Sequence, residues 1–275
     1  MRSFQLNEIT KTFLSAYNLY EEDFIQQIQL QHRLSLVEAF NIQEGMRVLE
    51  IGCGQGDTTA AIANAAGESG HVTAIDIASP DYGSPLTLGQ ATDRIKKSPL
   101  RERITFHFEM DFMNFSETIT PYDIAVLSHS SWYFKDPKDL KNYFQRLRKM
   151  TKRICFAEWD LDFTSMTQRA HFYAVSILAL YSSFVKNDGN IQNLFDKTQI
   201  RHLLKQANFQ IEKELTVDAT YLQDAQWEKD YANIIQDEFT NTSAMMQTLI
   251  NSYYELMNRS SGNEQSLNSF ILCAK

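Results

Sequence analysis

The stretch Val48-Leu-Glu-Ile-Gly-Cys-Gly-Gln-Gly56 carries an apolar run into three glycines and then into the alanine-rich segment 58–66. The run reads as a buried strand and the alanine-rich segment as a helix, closed by Gly67 as its C-cap. Gly52, Gly54 and Gly56 let the backbone turn tightly and approach a ligand where a Cβ would clash. A dinucleotide fingerprint spaces its glycines Gly-x-Gly-x-x-Gly, and here the third comes one residue early. Glu50 stands just before the turn, a poor neighbour for a pyrophosphate and a good partner for an ammonium group or its bound water.

Working outward, a second strand, 71–76, ends at Asp76, whose carboxylate can accept from both hydroxyls of a ribose. A third strand, 104–109, is followed by Asp111 and Phe112. Asp111 is placed to accept from an adenine amino group, with Ile77 and Phe112 on either side of the ring. Ser84-Pro85 reads as the cap of a short helix, Asp136-Pro137 as the cap and first residue of another, and Asp196 as the cap of a third that stops at Asn208. With strands at 122–128, 153–158, 209–217 and 269–274, the pattern predicts an α/β fold: a three-layer, seven-stranded, mostly parallel sheet with ligands at its carboxyl ends.

The segment 48–56, with Asp76, Asp111 and Tyr122-Asp-Ile-Ala-Val-Leu-Ser128, resembles the motif series of class I S-adenosylmethionine-dependent methyltransferases over residues 40–160. The resemblance implies a Rossmann-like sheet whose last strand is antiparallel and inserted between strands five and six. It implies S-adenosylmethionine as cofactor and S-adenosylhomocysteine as product, with Gly52 and Gly54 against the methionine part, Asp76 on the ribose, and Asp111 and Phe112 on the adenine. Glu50, Cys53, Gly56, Ile77 and Ser128 complete the expected cofactor contacts. Residues 29–56 are also similar to cyclopropane-fatty-acyl-phospholipid synthases and to small-molecule methyltransferases with an N-terminal helical cover.

Candidate chemistry lies at the ends of strands four and five. His129 is a candidate general base, since an imidazole titrates near neutrality, with packing or hydrogen bonding against the cofactor as the alternative. Glu158 is the second candidate, to orient the acceptor or take a proton. Trp132, Tyr133, Trp159, His171 and Tyr173 are candidate walls of an acceptor pocket. No metal is expected, because no His/Asp/Glu set has ligand spacing.

The chain of 275 residues, formal charge -8, is read as one domain: a helical cover (1–40), a cofactor-binding core (41–160), and helical insertions (161–190 and 221–259) forming a lid. The acidic balance argues against nucleic acid as partner. The N-terminus lacks an export signal and the longest apolar run is too short to span a bilayer, so a cytoplasmic location with no membrane anchor is expected. Cys53, Cys155 and Cys273 read as buried free thiols. The expected function is methyl transfer to a small, partly apolar acceptor. Methylene transfer to a lipid, cofactor binding without turnover and NAD-linked redox chemistry are the alternatives. The apolar insertion helices also suit a homodimer contact.

Overall fold

In the computed structural model, which describes residues 4–20, 23–116, 121–239, 242–259 and 264–275, five apolar runs lie side by side as parallel strands. They are β1 (Arg47–Ile51), β2 (His71–Ile75), β3 (Ile104–His107), β4 (Ile124–Ser128) and β5 (Ile154–Trp159). Two more, β6 (Ile211–Val217) and β7 (Ser269–Ala274), complete a seven-stranded sheet of order β3-β2-β1-β4-β5-β7-β6. β7 runs antiparallel to both neighbours, so the expected inserted last strand is present.

Residues along each strand alternate between two apolar layers. Leu49, Ile51, Ala125, Leu127 and Phe156 belong to one; Val48, Ile124, Val126, Cys155 and Ala157 to the other. The second layer is covered by α1 (Glu8–Tyr17), α2 (Phe24–Phe40) and α3 (Asp57–Ala66). The first is covered by α5 (Pro137–Met150), α6 (Arg169–Phe184) and α7 (Lys197–Gln206), whereas α4 (Leu88–Lys96) sets Ile95 in the second. The late insertion supplies α8 (Asp224–Ile234) and α9 (Ala244–Asn258), which pack on α6 and share its core. Trp227, Tyr231 and Ile234 form an exposed stripe along α8.

The punctuation residues act as their chemistry predicts. Asp136 accepts from Lys138 N, Asp196 forms a capping box with Gln199, and Asn208 takes a left-handed φ of 64°. Ser84-Pro85 does not cap a helix: Thr87 does, in a capping box with Gln90, and α4 starts at Leu88. β3 also stops at His107, two residues earlier than its apolar pattern suggests, because Glu109 turns to φ 53°.

The reading of three free thiols holds for Cys53 alone. Cys155 and Cys273 face each other across the antiparallel β5 and β7 pair and are joined as a disulfide. No helix among the described residues is long and apolar enough to cross a membrane.

Candidate cofactor and acceptor site

A cavity of about 680 Å³ opens at the carboxyl ends of β1, β2 and β4, the position that a reversal of strand order creates in such sheets. The three glycines of the turn after β1 serve different needs. Gly52, at φ 77°, lies against Ser130, where an added Cβ would sit 2.5 Å from the Ser130 Cβ. Gly54, at φ 53°, lines the cavity and has nothing within 4 Å of where its Cβ would be. Gly56, at φ 89°, faces away: its Cβ would fall 2.7 Å from Ile95, so it serves helix packing and lies outside the cavity lining.

Asp76 is the keystone of this turn. Its Oδ2 accepts from Gly54 N at 2.7 Å and its Oδ1 from Ala78 N at 2.9 Å, which ties the glycine loop to the end of β2. Ile77, 69% exposed, and Phe112, 1% exposed, both line the cavity. Phe112 is fixed by Tyr143 at 5.1 Å and by the Arg146 guanidinium at 5.5 Å from its ring. Asp111 Oδ1 accepts from Met113 N at 2.8 Å and Tyr143 Oη at 2.7 Å. Burial, and then this bond, raise the Tyr143 phenol well above its ordinary range, so Tyr143 remains a donor.

Strand alternation explains which expected residues turn away. Leu49 and Ile51 point to the α5 and α6 layer, so Glu50 points to the α2 and α3 side, where it is 2% exposed and outside the cavity lining. There it accepts from Thr59 Oγ1 at 2.5 Å, and burial pushes its carboxyl up to about 8. Ser128 and Cys53 are likewise buried and outside the lining.

His129 lines the cavity at a left-handed φ of 50°, and its ring nitrogens face groups inside the protein. Nδ1 lies 3.2 Å from Glu158 Oε1, at ion-pair distance but off the line of a hydrogen bond. Nε2 is 3.1 Å from Ser269 Oγ, which in turn is 3.0 Å from His32 Nε2. Glu158, 1% exposed, accepts from Ser131 N and Oγ at 3.2 and 2.7 Å and from Trp159 N at 3.1 Å. Burial lowers the His129 pKa against the opposing pull of Glu158, so the ring is neutral at pH 7.

Of the expected pocket walls, Tyr133 lines the cavity, whereas Trp132, Trp159, His171 and Tyr173 lie outside its lining. Trp132 is core. Trp159 packs behind His129 at 4.6 Å and against His171 at 5.2 Å, while Tyr173 pairs with Tyr253. Sequence reading missed Tyr143 and Tyr82, which line the cavity, and Arg33 of α2. The positive charge of Arg33 bears on Glu50, Asp57, His32 and His129, yet its buried Nη1 has no partner among the described residues.

Comparison with known proteins agrees with this geometry. A family model described as a methyltransferase domain matches residues 23–214. The chain is 32% identical to a cyclopropane-fatty-acyl-phospholipid synthase-like protein from Lactobacillus casei, whose crystal structure superposes with a TM-score of 0.86 over 97% of this chain and 98% of that one. It is 26% identical over 226 residues to the methyltransferase phomM' of Diaporthe leptostromiformis, covering 65% of this chain and 58% of that relative's length. The fold is shared at 17% identity with the [4+2]-cyclase SpnF, with a TM-score of 0.55 over 90% of this chain and 80% of that one. The matched span includes the glycine turn, Asp76, Asp111 and all but the last two strands, and the chain belongs to the class I methyltransferase domain family.

Proposed function

We propose that this chain transfers a methyl group from S-adenosylmethionine to a small, partly apolar acceptor. The observation that carries the reading is the floor of the cavity: an open glycine at Gly54, tied to the strand-end carboxylate Asp76, with Asp111 and Phe112 beyond. The residues fit the cofactor along its length. Asp76 accepts from the ribose hydroxyls, Asp111 faces the adenine amino group, and Ile77 and Phe112 enclose the ring. At the other end Arg33, whose buried Nη1 has no partner among the described residues, suits the methionine carboxylate, and Glu50, buried behind the glycine turn, bears on the ammonium by its charge rather than by contact. The bound cofactor supplies an electrophilic methyl carbon on a sulfonium.

The protein's own part is binding, orientation and exclusion of water. With Nε2 of His129 at Ser269 and its Nδ1 turned to Glu158 inside the protein, its role is to hold the cavity wall rather than to take a proton from the acceptor. Glu158 positions His129. The insertion at 161–190 reaches the cavity at Asp188, and α8 and α9, packed on α6, are the cover we assign to the acceptor. Incubation with labelled S-adenosylmethionine and a panel of small acceptors tests the function: S-adenosylhomocysteine release that depends on an acceptor supports it, and binding without release from any acceptor would make the chain a cofactor-binding protein.

Gly54→Ala separates site from scaffold. A left-handed alanine with open space around it costs about 1 kcal/mol of stability, while its methyl occupies the floor of the cavity. S-adenosylhomocysteine affinity falls at least about tenfold in a protein whose urea midpoint moves little. Unchanged affinity would place the ligand elsewhere.

The Glu50 assignment has a proton signature. In the free protein its carboxyl, pushed up to about 8, is largely protonated at pH 7. An ammonium bound in front of the glycine turn favours the ionised form through space, so binding releases a proton at pH 7, and the release fades as pH rises above 8. Calorimetry of S-adenosylhomocysteine in buffers of different ionisation heat reads this directly. Glu50→Gln abolishes the release; its persistence in that variant would reassign the ammonium partner.

A further inference from the structure

α8 begins at Asp224 and carries Glu228 one turn later, so the two carboxylates share a helix face. That face turns inward. Gln29 of α2, 5% exposed, donates its Nε2 to Asp224 Oδ2 at 2.8 Å. The charge of Asp224 bears on His129 and that of Glu228 on Tyr133, both of which line the cavity. Asn190 Nδ2 donates to Glu228 Oε1 at 3.4 Å from the segment beside Asp188, another lining residue.

The second observation is a surplus of acceptors with nothing to accept. Gln29 Oε1 is buried without a partner among the described residues, and it shares a carbon with the nitrogen bound to Asp224, so it lies at the carboxylate pair. Gln26 Oε1, one turn earlier on α2, and Gln223 Oε1, beside Asp224, are buried and unpartnered as well. Leaving such oxygens unmet is costly, and a ligand that donates several hydrogen bonds would relieve the cost. An uncharged apolar acceptor would leave them unmet, and a carboxylate or phenolate would add negative charge to the pair. A cation bearing N–H groups donates to Gln29 Oε1 and is attracted by the carboxylate pair. Arg33, the cation on the same face of α2, bears on Glu50, Asp57, His32 and His129, and is not among the charges that bear on Glu228.

We propose that Asp224, Glu228 and Gln29 form the acceptor subsite and that the acceptor is an amine. The assignment rests on the cofactor reading above and specifies what is methylated. Burial, followed by the charge of Asp224, pushes the Glu228 carboxyl up to about 8, so it is largely protonated at pH 7; an ammonium beside it favours ionisation, and the carboxylate so formed takes a proton readily. An ammonium entering the subsite passes one proton to the Glu228 carboxylate and becomes a neutral amine. Its nitrogen lone pair then forms the N–C bond while the C–S bond breaks, and the C–S electron pair remains on sulfur as a neutral thioether. The positive charge leaves sulfur and appears on nitrogen, and Glu228 releases its proton to solvent.

The test is calorimetry on protein saturated with S-adenosylhomocysteine, titrated with phenylalkyl primary, secondary and tertiary amines. Each amine is paired with the alcohol and the carboxylate of the same skeleton. At least one amine binds tenfold or more tightly than its alcohol partner, and the carboxylate more weakly still. Glu228→Gln and Asp224→Asn, both isosteric, each lower that amine's affinity at least tenfold, while the S-adenosylhomocysteine Kd stays within twofold and certifies the fold. The proposal is overturned if no amine binds better than its alcohol or carboxylate partner, or if both variants bind the amine as the parent does. Failure of S-adenosylhomocysteine itself to bind removes the cofactor reading, and the amine assignment with it. Normal cofactor binding without amine preference removes only the amine assignment.

Discussion

Asp76→Ala weakens S-adenosylhomocysteine binding by roughly thirtyfold or more, the equivalent of about 2 kcal/mol for losing a pair of charge-assisted hydrogen bonds to the ribose. The structure adds to that floor, because the same carboxylate holds Gly54 N and Ala78 N and thereby sets the shape of the glycine loop. Asp76→Asn keeps one acceptor oxygen and loses the charge, so it falls between the parent and the alanine variant. Calorimetry on the three proteins checks the order. Equal affinities in folded Asp76→Ala and parent protein would remove the ribose assignment.

Glu158→Ala costs about 3–5 kcal/mol of stability, in the range for removing one partner from a buried charged network. The substitution strands Ser131 N, Ser131 Oγ and Trp159 N, and leaves His129 Nδ1 facing a void between β4 and β5. Glu158→Gln preserves the volume and an acceptor oxygen and costs about 1–2 kcal/mol. The urea midpoint falls in that order with little change in slope, as expected when stability alone changes. A Glu158→Ala protein of parental stability would mean that this network carries no structural weight.

The first βαβ unit was legible in the sequence because its signals agree at every level: an apolar strand, glycines that need positive φ, and an alanine-rich helix closed by Gly67. The caps at Asp136 and Asp196 were legible for the same reason, since each is a local hydrogen bond between a side chain and its own helix start. What the sequence hid depends on long-range register. Cys155 and Cys273 are 118 residues apart and meet only because β7 is inserted beside β5. Nothing in the sequence singles out Arg33, and only the docking of α2 against α3 and β7 brings its charge to Glu50.

The aromatic segment after β4 shows the limit most clearly. Ser128 through Phe134 reads as one cluster at the cavity, yet a left-handed turn at His129 sends successive side chains to different places. His129, Ser130, Tyr133 and Phe134 line the cavity, while Ser131 and Trp132 turn into the protein. Period and composition do not carry that information, since it follows from one backbone dihedral fixed by Glu158 and Ser269 around the imidazole.

The central claim, that the cavity over the glycine turn takes S-adenosylmethionine, is tested most directly by calorimetric titration of the purified protein with S-adenosylhomocysteine, with NADH as the control. The account predicts one site per chain for S-adenosylhomocysteine, weakened by Asp76→Ala, and no heat from NADH. Binding of NADH in its place, or S-adenosylhomocysteine binding indifferent to Asp76, would contradict it.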